Sequence, residues 1–363
     1  MASTAPVAVK VEHVKKRFHR KAEKDHSQMV RLGAQIAFLL LNLWIGIEFY
    51  LWVRGIETGR SIVAGRPAGV EGWLPIAGLM NTKYLLMTGK VPVVHPAALF
   101  LFLAFVGMSL LLKRSFCSWL CPVGTFSEAL WKLGNSIFHV NLRLPNWLDI
   151  ALRALKYILL AFFASFILTM SADALEEFMG SSYGMMVDVR MMNFFRYMSL
   201  SAALVIGGLV IGSVFIKNLW CRYLCPYGAL LGLVSLLSPV KIRRDAEACV
   251  DCGKCAKSCP AALPVDKLVQ VRSAECNACF ECIAACSTQD ALSFALPPRK
   301  AGRPAARWRG RVLQPLAVAV LLAYLFLASV LTARVTGHWK MGLSDEVYRQ
   351  LIPNVNALEH PGM

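Results

Sequence analysis

The sequence predicts a mainly α-helical membrane protein, with about five transmembrane helices and a small α+β domain at one membrane face. Composition is the first observation, because 56% of the 363 residues are hydrophobic and only 17% are charged. The second is a motif, first written FCSWLCPVG and then WCRYLCPYG, that ends two apolar segments. The third is a group of eight cysteines that follows the second copy of this motif.

Five apolar segments are predicted to cross the membrane, since a transmembrane helix needs about 20 apolar residues. They are residues 32–53, 96–112, 154–170, 198–216 and 312–333. The first four are interpreted as two helical hairpins that fill a transmembrane region over residues 32–240. The fifth is a separate C-terminal span.

The distribution of basic residues orients these helices. Most of the 39 lysines and arginines precede the first predicted helix or lie between the second and third or the fourth and fifth. Cytoplasmic loops are enriched in Lys and Arg, so these segments are predicted to face the cytoplasm of a bacterium. The net charge of +17 therefore needs no nucleic acid to explain it. All 12 cysteines then lie on the cytoplasmic side, where thiols stay reduced.

The same topology assigns the remaining segments. Residues 1–31 are predicted to be a basic cytoplasmic arm that contacts anionic lipid headgroups. Residues 297–311 form a basic linker to the fifth helix, and residues 334–363 form a periplasmic tail. The expected location is the bacterial inner membrane.

The eight clustered cysteines form two runs with the same spacing of two, two and three intervening residues. In bacterial proteins with two [4Fe-4S] clusters, three thiolates of one run and the last thiolate of the other hold each cluster. One cluster is therefore predicted on Cys249, Cys252, Cys255 and Cys286, and the other on Cys276, Cys279, Cys282 and Cys259. Zinc is the alternative, but zinc sites usually group cysteines in pairs across a longer loop. A two-cluster ferredoxin domain is predicted over residues 241–296.

The duplicated motif contributes the other four cysteines, Cys117, Cys121, Cys221 and Cys225. Its repetition at the end of each hairpin predicts two parallel repeats related by an axis along the membrane normal. A spacing of four residues places the two cysteines of each motif on one face of a helical turn. The four thiols could hold a third cluster or an additional metal, act as redox-active thiols, or simply pack as small apolar residues. The duplicated motif with its flanking aromatic residues favours a redox or metal role, and the sequence leaves the choice between a cluster and thiols open.

The motifs that are missing narrow the chemistry. The sequence has no Cys-x-x-Cys-His haem attachment motif and no glycine-rich dinucleotide fingerprint. Iron–sulfur clusters carry single electrons, so other proteins or small molecules must complete any reaction.

The two CxxxCP hairpins joined to a two-cluster segment resemble the NapH/NosR-type membrane polyferredoxins, and among them the YccM-like bacterial membrane 4Fe-4S proteins. The stretches VEGWLPIAGLMN, FCSWLCPVGT, WCRYLCPYGAL and SPVKIRRDAEACVDCGKCAKSCP carry the resemblance. The resemblance implies cluster binding at the eight clustered cysteines and a functional use of the four CxxxCP cysteines.

The function expected from these observations is single-electron transfer between the quinone pool and redox partners, as in a quinol dehydrogenase component of a respiratory chain. The partners would be a cytoplasmic ferredoxin or flavoprotein and a periplasmic reductase. His95, Arg190 and Arg196 are the candidate quinone residues, although a local hydrogen bond is the simpler interpretation of His95.

The alternative function is that of a metal-handling or assembly factor, such as a membrane copper reductase for oxidase biogenesis. Its copper surface would be the methionine-rich segment 171–196, because thioethers bind Cu(I).

Overall fold

The computed structural model describes residues 21, 25–59, 65–139, 141–297 and 312–360. Within them, a bundle of helices packs on a small cysteine-rich domain, residues 241–297. The predicted linker, apart from its first residue, and the predicted arm up to residue 24, apart from Lys21, lie outside the described residues.

The first half of the chain contains α1 (Ser27–Glu57), a 3-10 helix (Ala68–Trp73), α2 (Pro75–Thr88), α3 (Pro96–Leu112), α4 (Phe116–Trp119), α5 (Pro122–Phe138) and α6 (Asn146–Thr169). Next come α7 (Ala172–Gly180), α8 (Ser182–Met185), α9 (Val187–Arg196), α10 (Leu200–Phe215), a π-helical turn (Trp220–Leu224), α11 (Pro226–Val234) and a 3-10 turn (Ser235–Leu237). The remainder comprises β1 (Lys241–Arg244), α12 (Lys254–Ser258), α13 (Glu281–Ala284), β2 (Leu292–Ala295), α14 (Pro315–Val335), α15 (Asp345–Leu351) and a 3-10 helix (Ile352–Ala357).

Three of these helices, α1, α6 and α14, are long and apolar enough to cross a membrane. Each exposes large apolar side chains such as Trp44, Phe162 and Leu327. Water would disfavour such surfaces, whereas lipid tails accommodate them. The apolar helix α10 has 16 residues and meets α9 at a bend of 83°, and the bent pair is a fourth candidate span.

The second predicted span is α3, which has 17 residues. At 1.5 Å per residue it is about 25 Å long, somewhat shorter than the hydrocarbon core of about 30 Å. It is also largely enclosed, because it packs against α2, α11 and α14. Ala97, Leu99 and Met108 on this helix are fully buried. Its apolar sequence therefore fills the centre of the bundle.

The helix α1 begins at Ser27, five residues before the predicted start of the first span. The extra turn is polar, and its side chains bond to neighbouring parts of the chain. The Gln28 amide donates to the Cys279 carbonyl oxygen (3.1 Å), and Arg31 pairs with Glu128 at 2.5 Å. A prediction from hydropathy leaves these residues out of the helix, because they are polar and the partners that hold them are distant in sequence.

The cysteine-rich domain is framed by β1 and β2, which pair antiparallel with Lys241 opposite Ala295. Its core is continuous with that of the bundle, since Met108 and Trp119 belong to the same buried cluster as Phe280 and Phe294. The ring of Phe280 lies edge-on to that of Trp119, at 5.6 Å between centroids. One hydrophobic core therefore holds the bundle and the domain together.

The opposite end of the bundle, termed the distal end, is closed by the C-terminal segment. Tyr348 of α15 packs edge-on against Trp52 of α1, with ring centroids 5.0 Å apart. Phe49, Val189 and Ile352 complete this small apolar cluster.

Candidate metal centres and an apolar cavity

Four cysteines of the cysteine-rich domain line one narrow, largely enclosed cavity: Cys259, Cys276, Cys279 and Cys282. Its other walls are apolar and include Ile242, Val265 and Phe280. Four sulfurs around an apolar space are the donor set of a [4Fe-4S] cube. The fold thus brings the last cysteine of the first run to the first three of the second.

The other four cysteines of this domain lie nearer the surface. Cys255 is buried, Cys249 and Cys286 are half-buried, and Cys252 is exposed. Burial raises the pKa of Cys286, and the neighbouring Cys249 and Cys252 raise this pKa further, against the opposite effect of Lys21. The last cysteine of the second run therefore lies beside the first run.

The two cysteine loops share an unusual backbone. Asp251 and Gly253 flank the second cysteine of the first run, with φ of 52° and 68°. Ala278 and Phe280 flank the second cysteine of the other run, with φ of 49° and 63°. A bulky residue rarely adopts positive φ, so the burial of the Phe280 ring between Trp119 and Phe294 offsets local strain.

The four CxxxCP cysteines lie together at one end of a much larger cavity, of about 1,000 Å³. Cys121 and Cys225 occupy the same position in their repeats, as the residue that precedes the first turn of α5 and of α11. The Gly228 amide donates a hydrogen bond to the Cys225 sulfur at 3.2 Å. A helix N-terminus and N–H donors stabilise negative charge on sulfur.

The glycine of each motif sits close to a cysteine. A Cβ atom on Gly124 would lie 2.1 Å from the Cys117 carbonyl oxygen, so only glycine fits at this position without a shift of the backbone. The equivalent Gly228 is less crowded, since its Cβ atom would lie 3.5 Å from the Cys225 sulfur. The start of α5 therefore packs tightly on the turn that carries Cys117.

Arg114 brings a positive charge to the four cysteines. It is buried, lines the large cavity beside Cys117 and Cys221, and donates to the Gly228 carbonyl oxygen at 3.1 Å. Its Nε atom has no partner, and among the described residues no carboxylate lies within 4.0 Å of its guanidinium. Burial also raises the pKa of the Cys117 thiol to about 11 and that of Cys121 to about 12. The charges that raise the pKa of Arg114, against the opposite effect of burial, are those of Cys117, Glu275, Cys221 and Cys225.

A narrow cavity joins this site to the cysteine-rich domain. Cys117 and Cys221 line one side, and Pro260 and Asn277 line the other. Two hydrogen bonds close the junction: Trp119 Nε1 donates to the Ala278 carbonyl oxygen at 3.0 Å, and the Ser118 hydroxyl donates to that of Asn277 at 2.5 Å. The CxxxCP cysteines and the enclosed cysteine cavity are therefore adjacent.

The large cavity runs between α1, α3 and α14 from the CxxxCP cysteines toward the distal end. Along α1 it extends from Phe38 to Glu48, which is about 15 Å at 1.5 Å per residue. Most of its wall is apolar, and the exposed Trp44 at its edge faces the surroundings of the bundle. Arg334 and Lys340 line its distal part.

The three predicted quinone residues lie elsewhere, and none lines this cavity. His95 is buried, with Nε2 3.0 Å from the Gly184 carbonyl oxygen and Nδ1 3.4 Å from a Glu71 oxygen. Arg190 donates to the Leu358 carbonyl oxygen. Arg196 forms an ion pair of 2.8 Å with Glu57. His95 is thus held by hydrogen bonds within the fold, although its partners are distant in sequence and not local to its helix.

The methionine-rich segment packs its sulfurs into apolar clusters. Met186 is fully buried near Phe49, and Met179 is buried near Tyr84. Across the described ranges, no three Cys, His, Asp or Glu side chains are placed to hold a single metal ion. A [4Fe-4S] cube is wider than one ion, so its thiolates stand further apart. The copper alternative stays a prediction that no feature of this segment favours.

Three sequence features gain meaning only in the structure. In the sequence alone, Arg114 is indistinguishable from the other basic residues of the predicted cytoplasmic side, such as Lys113. Arg66 likewise lies in a predicted loop with no motif around it. Glu48 belongs to no motif, and the signal that could identify it is a single acidic residue within an apolar segment.

Protein-family models match the chain in three places. A model described as a 4Fe-4S binding domain matches residues 94–141 and again residues 198–245, so each match contains one CxxxCP motif. A model described as a 4Fe-4S dicluster domain matches residues 241–287. The cysteine-rich domain thus carries two [4Fe-4S] clusters.

Several curated proteins are similar over long stretches. The chain is 49% identical over 331 residues to the Escherichia coli protein YccM, named as a candidate electron transport protein, and the alignment covers 91% of each chain. It is 31% identical to the regulatory protein NosR of Pseudomonas aeruginosa over 51% of this chain and 25% of that one. It is 24% identical to the ferredoxin-type protein NapH of Escherichia coli over 48% of this chain and 60% of that one. No solved structure matches.

Proposed function

The chain belongs to the NapH/NosR-type family of membrane 4Fe-4S polyferredoxins, together with YccM, and we propose that it passes single electrons between the quinone pool and redox partners. The observation that carries the quinone part of this proposal is the apolar cavity that leads from the lipid-facing Trp44 to the four CxxxCP cysteines. Small-molecule sites are typically concave and mostly apolar, with a few polar groups.

The cluster ligands follow from the two groups of cysteines. Cys259, Cys276, Cys279 and Cys282 would hold the cluster in the enclosed cavity. Cys249, Cys252, Cys255 and Cys286 would hold the cluster nearer the surface. Because Cys252 is exposed, this second site is the natural point of contact with a soluble electron carrier.

The four CxxxCP cysteines would hold a third [4Fe-4S] cluster. Arg114 supports this assignment because it is a buried cation beside Cys117 and Cys221, with Glu275 as the carboxylate that acts on its charge. Four thiolates on a cluster would add negative charge beside the guanidinium, whereas four neutral thiols would not. The clusters supply one-electron transfer when bound, and the protein fixes their order from the cavity to the exposed Cys252.

Membrane orientation is part of the proposal. The cysteine-rich domain would face the cytoplasm of a bacterium, and the distal end would face the periplasm. The basic residues favour this orientation, because cytoplasmic loops are enriched in Lys and Arg. A cytoplasmic ferredoxin or flavoprotein would then meet Cys252, and a periplasmic reductase would receive electrons through further proteins.

Iron content tests the third cluster. Purified protein is expected to contain about 12 irons, four for each cluster. Cys117→Ser and Cys221→Ser should lower this to about eight and remove one EPR signal. Eight irons in the wild-type protein, unchanged in both variants, would show that the hairpin cysteines are thiols.

A matched pair of substitutions tests the quinone cavity. Val330 lines the cavity, whereas the next residue of α14, Leu331, is exposed on the lipid side. Val330→Trp should fill part of the cavity and slow cluster reduction by a quinol in lipid nanodiscs at least about tenfold, with reduction by dithionite unchanged. Leu331→Trp should leave both rates unchanged. Equal quinol rates in the two variants would place the quinone outside this cavity.

A further inference from the structure

Glu48 is a carboxylic acid within the apolar helix α1. It is half-buried and lines the large cavity about 15 Å along the helix from Phe38. Among the described residues it forms no hydrogen bond or ion pair. Ionisable groups in membrane-spanning helices are costly and usually mark pathways for protons, ions or substrates. The position of Glu48 therefore indicates a functional role inside the cavity.

The other charged residues that line the cavity are all basic, so Glu48 is the sole carboxylate of its described lining. Arg66 is already paired, with Glu71 at 2.7 Å and Asp188 at 2.6 Å. The remaining charged residues are Arg334 and Lys340 at the distal part and Arg114 at the CxxxCP part. The cysteines and Tyr227 are the other titratable groups of the lining.

We propose that Glu48 exchanges protons with the quinone that occupies this cavity. The proposal rests on the proposed function, which supplies both the quinone and the electron acceptors. Oxidation of a quinol releases two electrons and two protons and leaves a quinone. The electrons pass singly toward the CxxxCP cysteines. For each proton, a quinol O–H bond breaks and an O–H bond forms on the Glu48 carboxylate, which then gives the proton to water. Reduction of a quinone runs the same steps in reverse.

The placement of Glu48 explains how the protons and the electrons of the quinol leave in different directions. The cysteines that take the electrons lie at one end of the cavity, and the polar residues Arg334 and Lys340 lie at the other. Glu48 stands on the distal side of Phe38, toward this polar end. Protons would therefore leave at the distal end and electrons at the end of the cysteine-rich domain.

The test uses the full chain in nanodiscs, with reduction by ubiquinol or menaquinol followed by absorbance over a range of pH. Glu48→Gln should slow quinol oxidation at least about tenfold, in line with the loss of a positioned acid–base group, and should flatten the pH profile. Glu48→Asp should keep most of the rate with a shifted profile. Glu57→Gln is the matched control, since Glu57 lies on the same helix outside the cavity and pairs with Arg196.

A second readout does not depend on turnover. Infrared difference spectra on quinol addition should show a carboxylic acid band that Glu48→Gln lacks and Glu57→Gln retains. Dithionite must reduce the clusters of each variant equally. If Glu48→Gln loses its clusters, an unshifted pH profile in Glu48→Asp would overturn the inference.

The outcomes separate this inference from the proposed function. Normal quinol oxidation with an unchanged pH profile in Glu48→Gln would overturn the role of Glu48 and leave the quinone site intact. A wild-type protein that no quinol reduces would overturn the proposed function and the role of Glu48 with it.

Discussion

Arg114 is the residue whose surroundings depend most on what the CxxxCP cysteines hold. Its guanidinium is buried with one backbone acceptor and an unpartnered Nε atom. A buried cation of this kind is stable only beside negative charge. Gly124 has a complementary role, since the missing Cβ atom lets the turn of Cys117 pack against α5. Arg114 therefore brings positive charge to the site, and Gly124 leaves the space that the turn of Cys117 needs.

Replacement of Arg114 should change the reduction potential of the proposed third cluster. Reduction adds negative charge, which a neighbouring cation stabilises. Arg114→Gln should therefore lower this potential by on the order of 60 mV, which corresponds to about 1.4 kcal/mol for a one-electron couple. Arg114→Lys keeps the charge and should stay closer to the wild-type value. Redox titration followed by EPR measures the shift, and identical potentials in all three proteins would contradict the third cluster beside Arg114.

At the scale of elements, the two CxxxCP turns are similar in sequence and different in detail. The first is an α-helical turn, Phe116–Trp119, and the second a π-helical turn, Trp220–Leu224. Each follows a residue with positive φ, Lys113 at 61° and Asn218 at 52°. The two repeats thus place their four cysteines around the same cavity, although the backbone conformations of the two turns differ.

The glycines of these turns should respond differently to alanine. Gly124→Ala places a methyl group against the Cys117 carbonyl, and the backbone shift should cost about 1–3 kcal/mol and lower the yield of the third cluster. Gly228→Ala makes only an ordinary contact with the Cys225 sulfur and should be tolerated. Thermal unfolding and iron content check both variants. Equal losses in the two would show that the repeats are equally crowded.

The sequence predicts local features well. Cysteine spacing and the duplicated motif predict the family and the two clusters, because the ligands of a cube must come from tight loops. The central, buried role of α3 could not be predicted, since a buried apolar helix and a lipid-facing one have similar compositions. The apolar cavity was also beyond prediction, because α1, α3 and α14 are far apart in sequence and only their packing creates it.

At the scale of the whole molecule, buried ion pairs join the bundle to the cysteine-rich domain. Lys156 of α6 is fully buried and bonds Glu275 at 2.6 Å, beside Cys276, a proposed cluster ligand. The Tyr157 hydroxyl donates to the other Glu275 oxygen at 2.9 Å. On the other side, Arg31 reaches Glu281 at 3.1 Å. These links fix the domain at the mouth of the CxxxCP site.

Removal of one partner of the buried pair should be more harmful than removal of both. Lys156→Met takes the directly bonded cation from the buried Glu275 carboxylate, which keeps only the more distant Arg114, and should destabilise the protein by about 3–5 kcal/mol. Adding Glu275→Gln removes the uncompensated charge, so the double variant should recover much of the loss. Lys132→Met is the control, because Lys132 is about half exposed and its ion pairs should contribute less than about 1 kcal/mol. Thermal unfolding of the cluster-loaded protein in nanodiscs measures all four proteins. A double variant less stable than Lys156→Met would show that the hydrogen bond from Tyr157, rather than charge balance, governs this junction.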